Sequence, residues 1–215
     1  MRDFPEDIFT ETADVDPDTL ANLGPLRGLA GTWSSSGGAD SHPVVDGAKA
    51  DLYVEHYQLD VIDAQTNGPQ LLYGLRYHTH ITKPGELETF HDQVGYWLWE
   101  PATKNLYFTL AIPRGQVALA IGTAEPDATT FEVRSRRDDP HCGIVTNPFL
   151  DHAFRTRSFH MTVTVTSPDE WSYEQDAVLE VLGRHAPFHH TDHNTLSRLG
   201  PPVPNPVAAA QAQPT

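Results

Sequence analysis

The chain has 215 residues, 39% of them hydrophobic, which is enough for one domain with a sizeable core and for two only if both are small. Its 29 acidic and 14 basic residues give a formal net charge of −15, which would repel nucleic-acid phosphates and anionic membrane surfaces and so argues against both as partners. The single cysteine, Cys142, excludes an internal disulfide, and no stretch approaches the roughly 20 apolar residues of a membrane span, so we expect a cytoplasmic protein.

The chain begins with an acidic segment, residues 1–17, that contains few apolar side chains. We expect this segment to be a flexible arm that contacts the rest of the protein only through apolar residues such as Phe4. Asp18 or Thr19 can then cap a short helix that runs to about Leu29, with a leucine at every third position. We expect this helix to plug one end of a barrel.

The first half of the chain after this helix has the composition of β-strands. Gly31 begins the first predicted strand, and the serine- and glycine-rich residues 34–40 are predicted to open into a loop that can approach a ligand closely. Residues 50–63 form the next predicted strand. Residues 71–123 alternate apolar and polar side chains in four predicted strands, separated by turn residues so closely spaced that antiparallel pairing is expected.

The second half continues the same pattern with one interruption. Residues 128–136 are predicted to be a half-exposed strand, and residues 137–151 form a long irregular insertion of the kind that often serves as a lid or a binding loop. Residues 158–166 and 171–182 alternate as a hairpin. A last strand at about 187–199 would close the sheet.

These elements predict an all-β fold, an antiparallel up-and-down β-barrel of about ten strands with a short N-terminal helix. Residues 18–199 would form this single domain, and the proline- and alanine-rich residues 200–215 would be a disordered tail. Closing the sheet removes exposed strand edges, and a barrel of this size can enclose one small-molecule ligand in its cavity. The oligomeric state is not indicated.

Histidine is the residue whose number and placement point to chemistry, because neutral imidazole is a common ligand of iron, zinc and copper. His78 and His80 share one face of a strand, and together with His91 they suggest a non-heme metal enzyme as one hypothesis. A single histidine in a strand is, however, more often hydrogen-bonded or solvent-facing. On the last strand His193 and His190 point to opposite faces.

Short motifs spread along the chain resemble those of the nitrobindin family, which are heme-binding β-barrels related in shape to fatty-acid-binding proteins. Residues 29–37, with Gly-Thr-Trp followed by a later glycine, resemble the family's G-x-W-x-G-x-G motif. Residues 91–96 and 110–117 resemble a family strand and a family turn that follow in the same order. Pro187 precedes His193 by six residues, which is the family's spacing between a proline and the heme-ligating histidine.

This resemblance implies a ferric heme, taken to be heme b, whose iron is bound by His193 with an open distal side. Such a heme would bind nitric oxide and isomerise peroxynitrite to nitrate. The resemblance also implies that His91 forms part of the cavity wall and that Thr32, Trp33 and Gly37 lie near the heme edge as cofactor-binding residues.

A heme-free barrel that carries or senses a lipophilic small molecule is the alternative, and the polar residues of the last strand favour it. The sequence leaves open which face of that strand points inward, because both faces carry polar side chains. Enzymatic activity is therefore an open question at this point.

Overall fold

The computed structural model describes residues 6–212, so the predicted contact of Phe4 lies outside the described part of the chain. The helices are α1 (Thr19–Asn22), a 3₁₀ helix (Gly24–Leu29), α2 (Pro148–Ala153) and α3 (Pro206–Gln211). The strands are β1 (Gly31–Val44), β2 (Gly47–Val61), β3 (Gln65–Asn67), β4 (Gln70–Thr82), β5 (Thr89–Glu100), β6 (Asn105–Ile112), β7 (Gln116–Thr123), β8 (Thr130–Arg136), β9 (Gly143–Thr146), β10 (Phe154–Ser167), β11 (Glu170–Val181) and β12 (Phe188–Gly200). No helix within residues 6–212 is long and apolar enough to cross a lipid bilayer.

Ten of these strands form a closed antiparallel barrel, which confirms the predicted fold class. Each strand of the ring pairs with its neighbours along the chain, and the pairing of β12 with β1 closes the ring. Among residues 6–212, β3 pairs with β4 alone and β9 with β7 alone, so both lie outside the ring. Apart from the insertion between β8 and β10, short connections join successive strands of the ring, which is why the spacing of turn residues was sufficient to predict antiparallel order.

Alternation along each strand decides which side chains face the interior. In β4, Leu75, Tyr77 and Thr79 are buried, whereas Arg76 and His78 between them are exposed. Successive side chains of a strand point to opposite faces, so one set fills the barrel and the other meets solvent. The interior is therefore built mainly from every second residue of the strands.

One end of the barrel is closed by the 3₁₀ helix and a group of tryptophans. Leu23, Leu26 and Leu29 are fully buried in this plug. The indole of Trp33 donates a hydrogen bond to the Leu29 carbonyl at 2.8 Å and meets the Trp171 ring edge to face at 6.1 Å. Each buried side chain of this size contributes about 1.5–3 kcal/mol to folding. This end of the barrel is a packed hydrophobic core.

Residues 34–40 do not form the expected loop, because β1 continues through them as far as Val44. The strand is irregular between Ser35 and Gly38, where its register with β2 shifts. A β-carbon on Gly38 would lie 2.1 Å from the ring of Tyr53, so the glycine lets that ring lie across β1. The run of small residues thus serves a bulge inside a strand.

The described part of the expected tail is ordered by contacts with the domain. Asn205 is fully buried, and its side chain accepts a hydrogen bond from the Thr19 amide at 3.1 Å. The Asn205 amide nitrogen donates to Asp63 at 2.7 Å, and α3 follows directly. A disordered tail was expected from residue 200, whereas residues up to 212 continue from this anchor as extended chain and helix.

Candidate functional site

The open end of the barrel contains a cavity of about 490 Å³, within the range of small-molecule sites in proteins. It lies at the strand ends opposite the tryptophan plug. One wall is apolar and comes mainly from β6 and β10, with Phe108, Leu110, Phe159 and Met161. The facing wall comes from β1, β2, β11 and β12 and carries ionisable side chains. The cavity therefore suits a molecule with an apolar body and a polar portion.

The mouth of the cavity is formed in part by the insertion at residues 137–151. Phe149 and Leu150 of this insertion, both on α2, line the cavity, although Phe149 is 67% exposed. Its ring lies 6.4 Å from that of Phe154, the first residue of β10. Asn147 caps α2 by accepting a hydrogen bond from the Leu150 amide. The insertion thus contributes an ordered, partly exposed apolar rim.

A carboxylate held by two imidazoles lies on the polar wall. Asp40 contacts His190 Nε2 with one oxygen and His42 Nδ1 with the other, each at 2.6 Å. Burial alone would raise the pKa of Asp40, but the two histidines outweigh it and hold this pKa below its usual value. Asp40 is therefore ionised at neutral pH.

A chain of four hydrogen-bonded side chains runs deeper along the same wall. Glu55 Oε2 contacts the Tyr173 hydroxyl at 2.9 Å, and this hydroxyl contacts that of Tyr53 at 2.8 Å. The Tyr53 hydroxyl in turn forms a very short hydrogen bond with Asp192 Oδ1. All four side chains line the cavity, and their residues are at most 7% exposed.

Both carboxyl groups of this chain are strongly desolvated. Burial raises the pKa of Glu55, although Thr79 donates to it at 2.7 Å and Asn194 at 2.6 Å. Burial also raises the pKa of Asp192, to about 7, and the charges of Glu55 and Asp40 add to this effect. A carboxyl group titrating near neutral pH inside a cavity is a feature of functional sites.

His91 projects into the cavity from β5, on the wall that the sequence resemblance implied for it. Burial lowers the pKa of His91, and the nearby Arg114 guanidinium lowers it further. A hydrogen bond with Gln93 opposes these effects. His91 is therefore a neutral imidazole at neutral pH, the form that coordinates metals.

His193 lies on the outer face of β12, and the ligand role that the resemblance implied for it is corrected. The buried side chains of this strand are Asp192, Asn194 and Leu196, so His193 between them is exposed. It does not line the cavity. The physical reason is the two-residue period of the strand, which turns the even-numbered residues inward.

The other predicted cofactor-binding residues also lie away from the cavity. Trp33 is fully buried in the tryptophan plug at the closed end, beside Thr32 at the start of β1. Gly37 is exposed, and no atom lies within 4 Å of the position its β-carbon would take. The structure therefore does not bring Thr32, Trp33 and Gly37 together with His91.

The three histidines of the non-heme hypothesis are divided between two faces of the sheet. His78 contacts Asp92 at 2.9 Å and His80 contacts Thr89 at 3.0 Å on the outside, whereas His91 points inward. In the part of the chain that the structure describes, no group of three or more histidine, cysteine or acidic residues is arranged to hold a metal ion.

Sequence reasoning missed the ionisable groups of the polar wall. A signal was present in β2, where Tyr53, Glu55 and Tyr57 alternate with outward-facing residues. A glutamate that shares a strand face with two tyrosines is unlike a solvent-facing glutamate, and it indicates a buried, hydrogen-bonded carboxyl group.

Comparisons with known proteins agree with this fold. Residues 22–198 match the family model of the THAP4-like, heme-binding beta-barrel domain. The crystal structure of Rv2717c from M. tuberculosis superposes with a TM-score of 0.57 at 20% sequence identity, over 86% of this chain and 99% of that one. This degree of similarity shows a shared fold. No curated protein matches the chain.

Proposed function

Because the chain belongs to the THAP4-like, heme-binding beta-barrel domain family, the nitrobindin family, we propose that its cavity binds one heme through His91. His91 is chosen as the iron-binding residue because its imidazole is neutral and points into the cavity. Iron in heme proteins is commonly bound by one such imidazole. His42 and His190 also line the cavity, but each already contacts the carboxylate of Asp40.

The remaining lining supports this proposal. The rings of Phe108 and Phe159 lie 6.1 Å apart with 22° between their planes, so the apolar wall offers two nearly parallel aromatic rings to a macrocycle. Arg114 lines the cavity as an exposed residue and donates to the Phe90 carbonyl at 2.7 Å through Nη2, so its remaining N–H groups can meet carboxylates at the edge of a bound heme. Phe149 and Leu150 would shield the occupied cavity from water.

The reactive-nitrogen activity is the finer part of the proposal. A bound ferric heme would supply an iron centre that takes up nitric oxide and isomerises peroxynitrite to nitrate. The protein's own contribution would be to hold the iron through His91 and to limit water at the apolar wall. Stopped-flow decay of peroxynitrite with the heme-loaded protein, and nitrate yield as the product measurement, would test this activity.

A hemin titration followed in the Soret region tests the heme site. The wild-type protein should give a saturable change at one heme per chain, and His91→Ala should lose it. His193→Ala is the matched control, because His193 is exposed on the outer face of β12 and should not affect binding. A saturable change that survives in His91→Ala would remove His91 from the ligand role.

A heme-free carrier or sensor of a lipophilic small molecule is the second candidate. It is favoured by the buried carboxyl groups of Glu55 and Asp192, which suit a polar group on the ligand better than a macrocycle. This function predicts that the wild-type protein gives no saturable Soret change. It also predicts that solvent extraction of the purified protein releases an organic molecule detectable by mass spectrometry.

A further inference from the structure

In the hydrogen-bonded chain of the polar wall, the oxygen–oxygen contacts outnumber the hydrogens of the hydroxyl groups that form them. Glu55, Tyr173, Tyr53 and Asp192 make three successive oxygen–oxygen contacts. A contact between two oxygens at 2.8 Å is attractive only when a hydrogen lies between them. The two phenols supply two hydrogens, so the third contact needs a proton carried by one of the carboxyl groups.

The neighbouring donors indicate where this proton lies. Glu55 accepts further hydrogen bonds from Thr79 and Asn194, whereas Asp192 accepts only one further bond, from Gln175 at 2.8 Å. A carboxylate with more donors is better stabilised in its charged form. With the proton on Asp192, the hydrogen bonds run in one direction from Asp192 to Glu55, and each contact has one hydrogen.

The charged groups around Asp192 act in the same direction. Asp40 of β1 is the cross-strand partner of Asp192 and is ionised. The negative charge of Glu55 on β2 also disfavours ionisation of Asp192. His190 on the same strand opposes these two charges, but its Nε2 is occupied by Asp40. The other ionisable groups that line the cavity are His42, His91, Arg114, Tyr53, Tyr57 and Tyr173. The packing of like charges around a buried chain disfavours a second negative charge.

We propose that the wall of the cavity is a proton-binding site in which the chain from Glu55 to Asp192 shares one proton beyond those of its two phenols. The pair of carboxyl groups then carries a single negative charge at neutral pH. Binding in the cavity is linked to this proton. A ligand that presents an anionic or hydrogen-bond-accepting oxygen to this wall is favoured while the proton is bound, and a cationic group favours its release. The proton site consists of four side chains of the protein itself and does not depend on heme.

Infrared spectroscopy of the full-length protein in D₂O tests the proposal, because the carbonyl stretch of a protonated carboxyl group is separate from those of carboxylates and amides. The wild-type protein without added ligand should show this band at neutral pH and lose it in alkali. Asp192→Asn and Glu55→Gln should each lack the band, because an amide at either end donates the third hydrogen without a titratable proton. Near-ultraviolet circular dichroism from the buried tryptophans checks the fold of each variant.

Asp176→Asn is the matched control, because the Asp176 carboxyl contacts the exposed His189 at 2.7 Å and lies outside the chain of four. It should keep the band. Absence of the band in the wild-type protein would overturn the proposal. A band that persists in either amide variant would overturn it as well, because burial alone would then hold the proton. If one of the two amide variants fails to fold, the other still tests whether the chain of four side chains holds an extra proton.

Discussion

Asp40 lies directly opposite Asp192 in the antiparallel pairing of β1 with β12, and both carboxyl groups line the cavity. Their environments separate their proton affinities. The two imidazoles that contact Asp40 hold its pKa below the usual value, whereas burial raises the pKa of Asp192 to about 7. Two adjacent aspartates thus titrate in different pH ranges, and this difference gives the cavity a pH-dependent wall.

The raised pKa of Asp192 predicts how stability changes with pH. The native state binds this proton more tightly than the unfolded chain, so the free energy of unfolding should fall as the pH rises from about 4 to about 7. The effect is at most about 4 kcal/mol. Urea unfolding at several pH values should show that Asp192→Asn loses this slope and that Asp176→Asn keeps it. Equal slopes in wild type and Asp192→Asn would contradict the assignment.

The lowered pKa of His91 predicts a slope of the opposite sign at lower pH. The unfolded chain binds a proton to this imidazole more readily than the native protein does, so His91 should reduce stability as the pH falls below 6.5. His91→Gln should flatten the slope of unfolding free energy in that range, with His193→Gln as the control. Hemin affinity should fall only at still lower pH, below the lowered pKa of His91 in the native protein, because a protonated imidazole does not bind iron. A slope that is unaffected by His91→Gln would show that other groups cause it.

Gly38→Ala should disturb the polar wall from a distance. The new β-carbon would lie 2.1 Å from the Tyr53 ring, so the ring must move and its contacts with Tyr173 and Asp192 must weaken. We expect a loss of about 1–3 kcal/mol in unfolding free energy. Gly37→Ala is a close control, because no atom lies within 4 Å of its β-carbon position. Similar losses in the two variants would mean that strand conformation, not the Tyr53 ring, sets the requirement for glycine.

Asn205→Ala should loosen the C-terminal segment and the plug together. The substitution leaves the buried amide of Thr19 without its Asn205 partner and removes the bond to Asp63. Loss of buried hydrogen-bond partners costs about 1–3 kcal/mol. Thermal unfolding should show the decrease, and Val203→Ala, at an exposed position, should not. Equal melting temperatures for wild type and Asn205→Ala would show that this anchor contributes nothing to the domain.

The fold was predictable because its signals are local and repeated. Alternating side chains and turn residues mark each strand, and successive strands pair, so no long-range information was needed to expect a barrel. The plug was equally accessible, since Leu23, Leu26 and Leu29 recur at every third position, although the structure divides the single predicted helix into α1 and a 3₁₀ helix.

The site was less predictable because it depends on strand register. A shift of one residue exchanges the two faces of a strand, and β12 carries polar residues on both. The ligand role that the resemblance implied for His193 therefore fell on the outer face, while the neighbouring Asp192 faces the cavity. The contact of Glu55 with Tyr173 joins residues 118 positions apart, and no local pattern encodes it.

The strands of the barrel differ in how many residues pair with the neighbouring strand, and the weakest pairing affects how a ligand could enter the cavity. β7 meets β8 at a single pair, Ile121 with Arg134, while β9 pairs with residues 116–119 of β7 and occupies the rest of that margin. Separating β7 from β8 here breaks few ladder hydrogen bonds. Transient separation of the two strands would widen the way into the cavity for a rigid molecule, and amide hydrogen exchange should be fastest along this pairing.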